Sequence, residues 1–173
     1  MSLVHWSFGR FGSVERPDPR SATLLLRDLA IRVDQLAGHP GEAFAHRLDR
    51  GARHDLGSTT ATTTLGWSLV DADTERGEVE VAFEASKAFL NPAGTVHGGF
   101  LTAMLDDTMG PALAITLDSG QYGATVDIRV SFLRPARPGR LVGRGRVVHR
   151  GGTIAFLAGE LLERARDMLT SPS

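Results

Sequence analysis

The sequence predicts an α+β domain in which a curved antiparallel sheet wraps one central helix, preceded by a mostly helical N-terminal extension. Three observations carry this expectation. Segments that alternate apolar and polar residues flank a single long apolar stretch at about 98–116. That stretch is too long for a strand and has helical composition. The first 58 residues follow a different pattern, with apolar residues four apart instead of two. Half-apolar antiparallel strands need a cover, and one apolar helix is the economical one.

The elements follow in chain order. Residues 1–20 have no period and read as an irregular arm. In SATLLLRDLAIRVDQLAG, Leu25, Leu29, Val33 and Leu36 fall at helical spacing, with Ser21 at the start and Gly38 and Pro40 beyond the end, so a helix of about four turns is expected over 21–36. A shorter helix over 41–50 should end at Gly51. The threonine-rich STTATTT at 58–64 reads as a loop entering a strand, since β-branched residues favour extended backbone. Leu65, Trp67 and Leu69 alternate with Gly66, Ser68 and Val70, and after the turn-like DADTERG, Val79, Val81 and Phe83 do the same, which gives a hairpin. After the central helix, Val126, Ile128, Val130 and Phe132 are expected to face the helix together. Strands at 140–149 and 153–163, separated by Gly151 and Gly152, complete the set. The expected divisions are an extension over 1–58, the main domain over 59–165 and a tail over 166–173. One helix cannot cover five strands, so a sheet edge or face should pair with another copy of the chain.

Composition narrows the function classes. The 173 residues contain no cysteine, which excludes a disulfide framework, a thiolate nucleophile and cysteine metal ligands. A net charge of −1 argues against a general nucleic-acid binder. No run approaches the ~20 apolar residues of a membrane span, so a soluble, cytoplasmic protein is expected. The six histidines are scattered with no HExxH spacing, and no G-x-S-x-G elbow occurs. Metal and cofactor are therefore both expected to be absent. Seven arginines (129, 134, 137, 140, 144, 146 and 150) lie between Ile128 and Gly151 without an acidic residue. They fit either a solvated sheet face or a surface for an anion such as a nucleotide phosphate.

The most informative stretch is NPAGTVHGGFLTAMLDDTMG, residues 91–110. A helix that opens on His97-Gly98-Gly99 presents unpaired N–H groups at the positive end of its dipole, where glycines allow close approach. Stabilisation of a developing oxyanion, simple anion binding and tight loop packing all suit that start. Asp106 and Asp107 sit mid-helix among apolar residues and need a partner or a function. Being ~100° apart around the helix, they cannot share one environment. Asp106 falls with Gly99, Thr102, Gly110 and Leu113, a stripe of mostly small residues, and is the stronger catalytic candidate. Asp107 lies nearer Phe100, Ala103 and Ala114. Pro111 cannot donate to the Asp107 carbonyl, so the helix should kink or loosen there and Asp107 should have a structural task. Gly98 and Asp106 are ~12 Å apart along the axis, too far to act on one carbonyl. If both act, two copies of the helix must lie side by side.

The spacing Asn91-x-x-Gly94-x-x-His97-Gly98-Gly99, with an acid nine residues after the histidine, resembles the hotdog-fold acyl-CoA thioesterases of the PaaI-like branch. The resemblance covers about 60–163, strand order included. It implies hydrolysis of an acyl-CoA thioester at a site shared within a homodimer or dimer of dimers. By that resemblance the Gly98 N–H polarises the thioester carbonyl, Asn91 contacts water or substrate, and His97 positions the thioester. Asp106 of the partner would act as general base or nucleophile. Thr125 matches a Ser or Thr that orients the acid or water, although simple alternation turns it away from the helix, so this role requires a bulge or an interface position. Gly99, Arg134 and Arg150 are candidate substrate contacts, the arginines for the CoA nucleotide. A non-catalytic acyl-CoA sensor on the same fold is the alternative reading, and it would have no need of an acid at Asp106.

Overall fold

A computed structural model describes residues 22–35, 59–118 and 121–163. The expected arm at 1–20, the short helix at 41–50 and the C-terminal tail lie outside the described residues. Among the described residues, seven strands form one antiparallel sheet: β1 (Ala22–Gln35), β2 (Ser68–Asp73), β3 (Glu78–Ala85), β4 (Gln121–Ile128), β5 (Ser131–Phe132), β6 (Gly139–Arg150) and β7 (Ile154–Glu163). Their order is β2-β3-β6-β7-β1-β4, with β5 also on β1. Two helices join them, α1 (Thr60–Leu65) and α2 (Gly98–Ala114). Helix α2 packs on the sheet, mainly on β6 and β7, in the arrangement expected of a hotdog fold.

The predicted helix over 21–36 is instead strand β1, paired with β7 on one side and with β4 on the other. The reason lies in the spacing. Apolar residues four apart satisfy a helix face and a strand face equally, and Leu29, Ile31 and Val33 also alternate. The unpaired backbone groups of β7 and β4 resolve the tie, because burying them unsatisfied would be costly. Ile31 is buried at the centre of this strand. The helical extension expected before residue 59 is thus, where described, part of the sheet.

A second correction concerns the threonines. Thr60–Leu65 is helical, because Thr59 and Thr62 form a reciprocal capping box and Gly66, in the left-handed region at φ 66°, ends the helix. Local hydroxyl bonds outweigh the β-branched preference for extended backbone here. The first hairpin strand consequently begins at Ser68 rather than near Leu65.

What seats α2 is a row of missing side chains. Gly143 and Gly145 on β6 share a face, and Gly159 on β7 is the register partner of Gly145. A β-carbon on Gly145 would lie 2.6 Å from the Thr108 carbonyl oxygen, and one on Gly143 would lie 2.3 Å from Thr108 Oγ1. One on Gly159 would meet Met109 Cγ at 2.7 Å. The helix backbone therefore rests against the sheet. Phe83, Met104, Leu105, Met109, Leu113, Leu141, Leu157 and Leu161 fill the space around that contact and are fully buried. Thr108 is the buried polar side chain there, and its hydroxyl donates to the Met104 carbonyl at 2.7 Å.

The expected loosening at Pro111 does not interrupt α2, which runs through it. The indole N–H of Trp67 donates to the Asp107 carbonyl at 3.0 Å, the acceptor that Pro111 leaves orphaned. The structural task foreseen for Asp107 thus belongs to its backbone.

Two stability outcomes follow. Gly145→Ala should lower unfolding free energy by about 1–3 kcal/mol through overpacking, while Gly152→Ala, which meets nothing within 4 Å, should change it by under about 0.5 kcal/mol; paired urea titrations read both. Trp67→Phe keeps most of the ring but removes the donor, and should cost about 1–3 kcal/mol in the same assay.

Candidate functional site

Three groups of predicted site residues lie at successive heights along α2. The first surrounds its N-terminus. Residues 91–97 form a tight loop organised by Asn91: its Oδ1 accepts from the N–H of Ala93 at 3.0 Å and of Thr95 at 3.2 Å, and its Nδ2 donates to Thr95 Oγ1 at 2.9 Å. Gly94 takes φ 76°, a conformation that the turn requires. Much of the polar capacity of Asn91 therefore goes to its own loop, which leaves one amide hydrogen to point elsewhere.

His97 is the N-cap of α2. Its Nδ1 accepts the N–H of Gly99 at 3.0 Å, which assigns the ring proton to Nε2 on the exposed side. The ring stands edge-on to Phe100, which stacks on Phe89 with centroids 4.1 Å apart. The two glycines are now distinct. The N–H of Gly99 is occupied by the cap, whereas that of Gly98 makes no hydrogen bond among the described residues. Gly98 is the free donor at the positive end of the helix.

Gly98 opens into a cleft of about 290 Å³. Asn91, Thr95 and Arg134 supply its polar lining, and Val96, Leu101, Phe132 and Pro135 its apolar walls. The Val96 N–H donates to the Ala136 carbonyl at 2.9 Å and ties the two wall loops together. On the outer side, Glu163 Oε1 accepts the Arg137 N–H at 2.7 Å. Asn91, Gly98 and Arg134 thus converge. His97 and Gly99 lie beside them but do not line the cleft.

The second group is at mid-helix. Thr125 Oγ1 donates to Asp106 Oδ1 at 2.9 Å. The β1–β4 register passes from Ala30↔Asp127 to Ile31↔Thr125 and skips Val126, so a bulge sits where the role of Thr125 requires one. Val126, expected to face the helix, is 61 % exposed instead. The strand expected through 132 also breaks into β4 and β5. The stripe around Asp106 needs one correction: Leu113 is buried, whereas Gly99, Thr102, Ala103, Asp106 and Gly110 are open or half-open, with Phe100, Asp107, Pro111 and Ala114 half-open beside them. Around Asp106 this face of α2 carries only the small residues Gly99, Thr102, Ala103 and Gly110, while Phe100 and Pro111 flank Asp107; the exposed stretch Gly123–Asp127 of β4, the last strand of the sheet among the described residues, is small apart from Val126 and Asp127.

Asp107 differs from its neighbour electrostatically. Partial burial, and secondarily the charge of Asp106, push its carboxyl up to about 6. No side-chain hydrogen bond to it occurs among the described residues, so nothing offsets the burial of its charge.

The third group is at the far end. Arg150 donates to the Thr116 carbonyl, to Gln121 Oε1 at 2.6 Å and to Asp118 Oδ2 at 3.3 Å. It clamps the turn after α2, roughly 25 Å from the cleft by helix rise, and does not join Arg134. The other arginines also divide. Arg144 bridges Glu80 at 2.8 Å and Arg140 approaches Glu84 at 3.6 Å, while Arg146 is in register with Glu78. The solvated-face reading therefore holds for β6, and Arg134 is the arginine at the cleft.

Among the described residues no cluster of three or more His, Asp or Glu could hold a metal ion. No described helix is long and apolar enough to cross a membrane.

Comparison with known proteins agrees with this geometry. A family model described as thioesterase superfamily matches residues 93–166. The chain is 30 % identical to mouse acyl-coenzyme A thioesterase 13 over 103 residues, covering 59 % of this chain and 71 % of that protein. A crystal structure of a phenylacetic acid degradation-related protein from Ralstonia eutropha JMP134 superposes with TM-score 0.56 at 34 % identity, covering 69 % of this chain and 98 % of that one. The chain belongs to the thioesterase superfamily. Human acyl-coenzyme A thioesterase 13 is 31 % identical over 54 % of this chain, and the match spans 66 % of that protein, just under two thirds of its length. The Escherichia coli PaaI protein shares the hotdog fold at TM-score 0.52 and 19 % identity, over 73 % of this chain and 94 % of that one.

Trp67, Thr95 and Phe132 are site or support residues that the sequence did not single out. Pro111 did signal that the Asp107 carbonyl would need a donor, but not which one. Alternation did turn Phe132 toward the helix, but nothing in the local pattern marked it as part of the site.

Because the folded state holds Asp107 protonated up to about pH 6, against an ordinary value of 3.8, its ionisation should cost stability as pH rises through that window. Asp107→Asn should remove this loss. The difference in urea midpoint between variant and wild type should widen in the variant's favour from about pH 4 to 6.5, then level off.

Proposed function

We propose that this thioesterase-superfamily protein hydrolyses an acyl-CoA thioester to free acid and CoA at a site shared by two copies of the chain. The observation that carries the reading is the division of labour along α2. The free Gly98 N–H stands at one height, with the cleft, and the Asp106–Thr125 pair stands ~12 Å further along the axis. A single chain cannot bring both to one carbonyl. Two antiparallel helices side by side can, each giving its N-terminus to the other's Asp106. The small-residue surface around Asp106 and the neighbouring strand β4, last in the sheet among the described residues, support that pairing, since they allow close approach and leave an edge unpaired within the described residues.

In this mechanism the thioester carbonyl accepts from Gly98, where the helix dipole favours the negative charge that develops on oxygen. His97 offers Nε2–H beside it, and Asn91 directs its remaining amide hydrogen toward water or substrate. Asp106 of the second copy, oriented by Thr125, removes a proton from the attacking water or attacks the carbonyl itself. The tetrahedral intermediate collapses with loss of CoA thiolate, which takes up a proton; water attack yields the free acid directly, whereas attack by Asp106 yields a mixed anhydride that water then hydrolyses to the acid. Arg134 at the cleft mouth suits an anionic part of the CoA nucleotide.

A panel of acyl-CoAs assayed by thiol release tests the reading. Asp106→Asn should lower kcat by at least about 10²-fold and Thr125→Val by about 10-fold. Sedimentation should find a dimer or larger at assay concentration. Wild-type turnover in Asp106→Asn, or an active monomer, would sink the mechanism. Acyl-CoA binding without hydrolysis of any thioester would favour the sensor reading.

A further inference from the structure

One contact at the cleft has no place in the mechanism above. The ring of Phe132 occupies the space where a side chain at residue 98 would be: a β-carbon on Gly98 would lie 3.0 Å from Phe132 Cζ and 3.2 Å from Cε1. Phe132 is contributed by the two-residue strand β5, far from α2 in sequence, and its ring lines the cleft although it is 54 % exposed. An aromatic ring half in water is poorly explained as core packing. It fills the β-carbon position of the residue whose N–H has no hydrogen-bond partner among the described residues. The opposite walls, Val96 and Leu101, are buried and held by the helix and by the Val96–Ala136 bond, so Phe132 is the part of the lining with freedom to be something else.

We propose that Phe132 is a positioning residue: its ring replaces the absent side chain of residue 98 as a wall and sets the pose in which a thioester carbonyl reaches the Gly98 N–H. The inference rests on the thioesterase reading and refines it. The glycine leaves the N–H approachable, but it also leaves the carbonyl free to slide over the helix end. A flat, rigid wall at that β-carbon position restricts that movement. Misplacement of the carbonyl by about 1 Å forfeits on the order of 10²-fold in rate, so such a wall acts on kcat more than on binding. The wall confines the carbonyl and does not grip the charged CoA nucleotide, so KM should stay largely untouched.

The test uses the full-length protein and two readouts. In thiol-release assays Phe132→Ala should lower kcat about 10-fold or more with KM within about 3-fold, while Phe132→Tyr, which keeps the ring, should stay within about 3-fold of wild type in kcat. In NMR, a non-hydrolysable ketone analogue of acyl-CoA should shift the Gly98 amide proton downfield in wild type and in Phe132→Tyr, and shift it much less in Phe132→Ala. The second readout needs no turnover. If wild type hydrolyses no thioester but the Gly98 shift still depends on the ring, the hydrolase reading falls and the positioning role stands. If hydrolysis occurs and Phe132→Ala keeps both kcat and the Gly98 shift, the positioning role falls alone. A variant that loses activity only through raised KM, or only by dissociating into monomers, also overturns it. A protein that neither turns over thioesters nor binds the analogue overturns both. A stability cycle checks the contact itself: Gly98→Ala should lower the unfolding midpoint by roughly 3 °C or more, and by clearly less in a Phe132→Ala background.

Discussion

The rest of the structure depends on how closely α2 lies against the sheet. Gly143, Gly145 and Gly159 leave a strip with no side chains, and the backbone at Thr108 and Met109 settles into it. With β-carbons in that strip the helix would have to lift away, and the layer of leucine, methionine and phenylalanine around it would no longer close. The height of α2 above the sheet in turn fixes which of its residues face outward. Asp106 can meet Thr125 because the helix sits low enough for a bulged edge strand to reach it. Trp67 can reach the Asp107 carbonyl for the same reason.

That outward face combines features that would be costly to combine in an isolated monomer. It carries two adjacent carboxylates, an approachable backbone and a sheet edge with no partner strand among the described residues. The carboxylates are treated differently. One is hydrogen-bonded by a threonine, and the other is partly desolvated and pushed up to about 6. Two neighbours in sequence thus become chemically unlike groups, because 100° of helical rotation sends them into different surroundings. The separation of donor and acid along the axis is fixed by helix rise and cannot be relaxed by loop movement.

On the other face of the sheet, charge has a plainer use. Glu80 and Glu84 on β3 stand beside Arg144 and Arg140 on β6, as pairs of a solvated cross-strand ladder. Such exposed pairs contribute little each, about 0–1 kcal/mol, and account for charges that the linear sequence presents as one basic block. Arg150 caps the turn after α2 at the helix end where the dipole favours a cation. Arg134 alone is drawn to the cleft, because Pro135 and the short strand β5 turn that segment toward the N-terminus of α2.

The sequence by itself determined the features that local geometry governs. The long apolar helix with its His-Gly-Gly start, the separation of Gly98 from Asp106 and the orphan carbonyl created by Pro111 all follow from rise, rotation and hydrogen-bond valence. The hairpin of Val79, Val81 and Phe83 and the last two strands were legible because period two has no competing reading there. Only the tertiary structure decided the rest. Residues 22–35 carry an apolar spacing of four that serves helix and strand alike, and the open edges of β7 and β4 made them a strand. Thr59 and Thr62 formed a local cap that residue propensity did not foretell. The arginines were divided by cross-strand neighbours that lie 56 to 68 positions away in the chain by register, such as Glu84 with Arg140 and Glu78 with Arg146. Phe132 met Gly98 for the same reason: a contact between distant segments depends on how strands turn in space, and no local period records it.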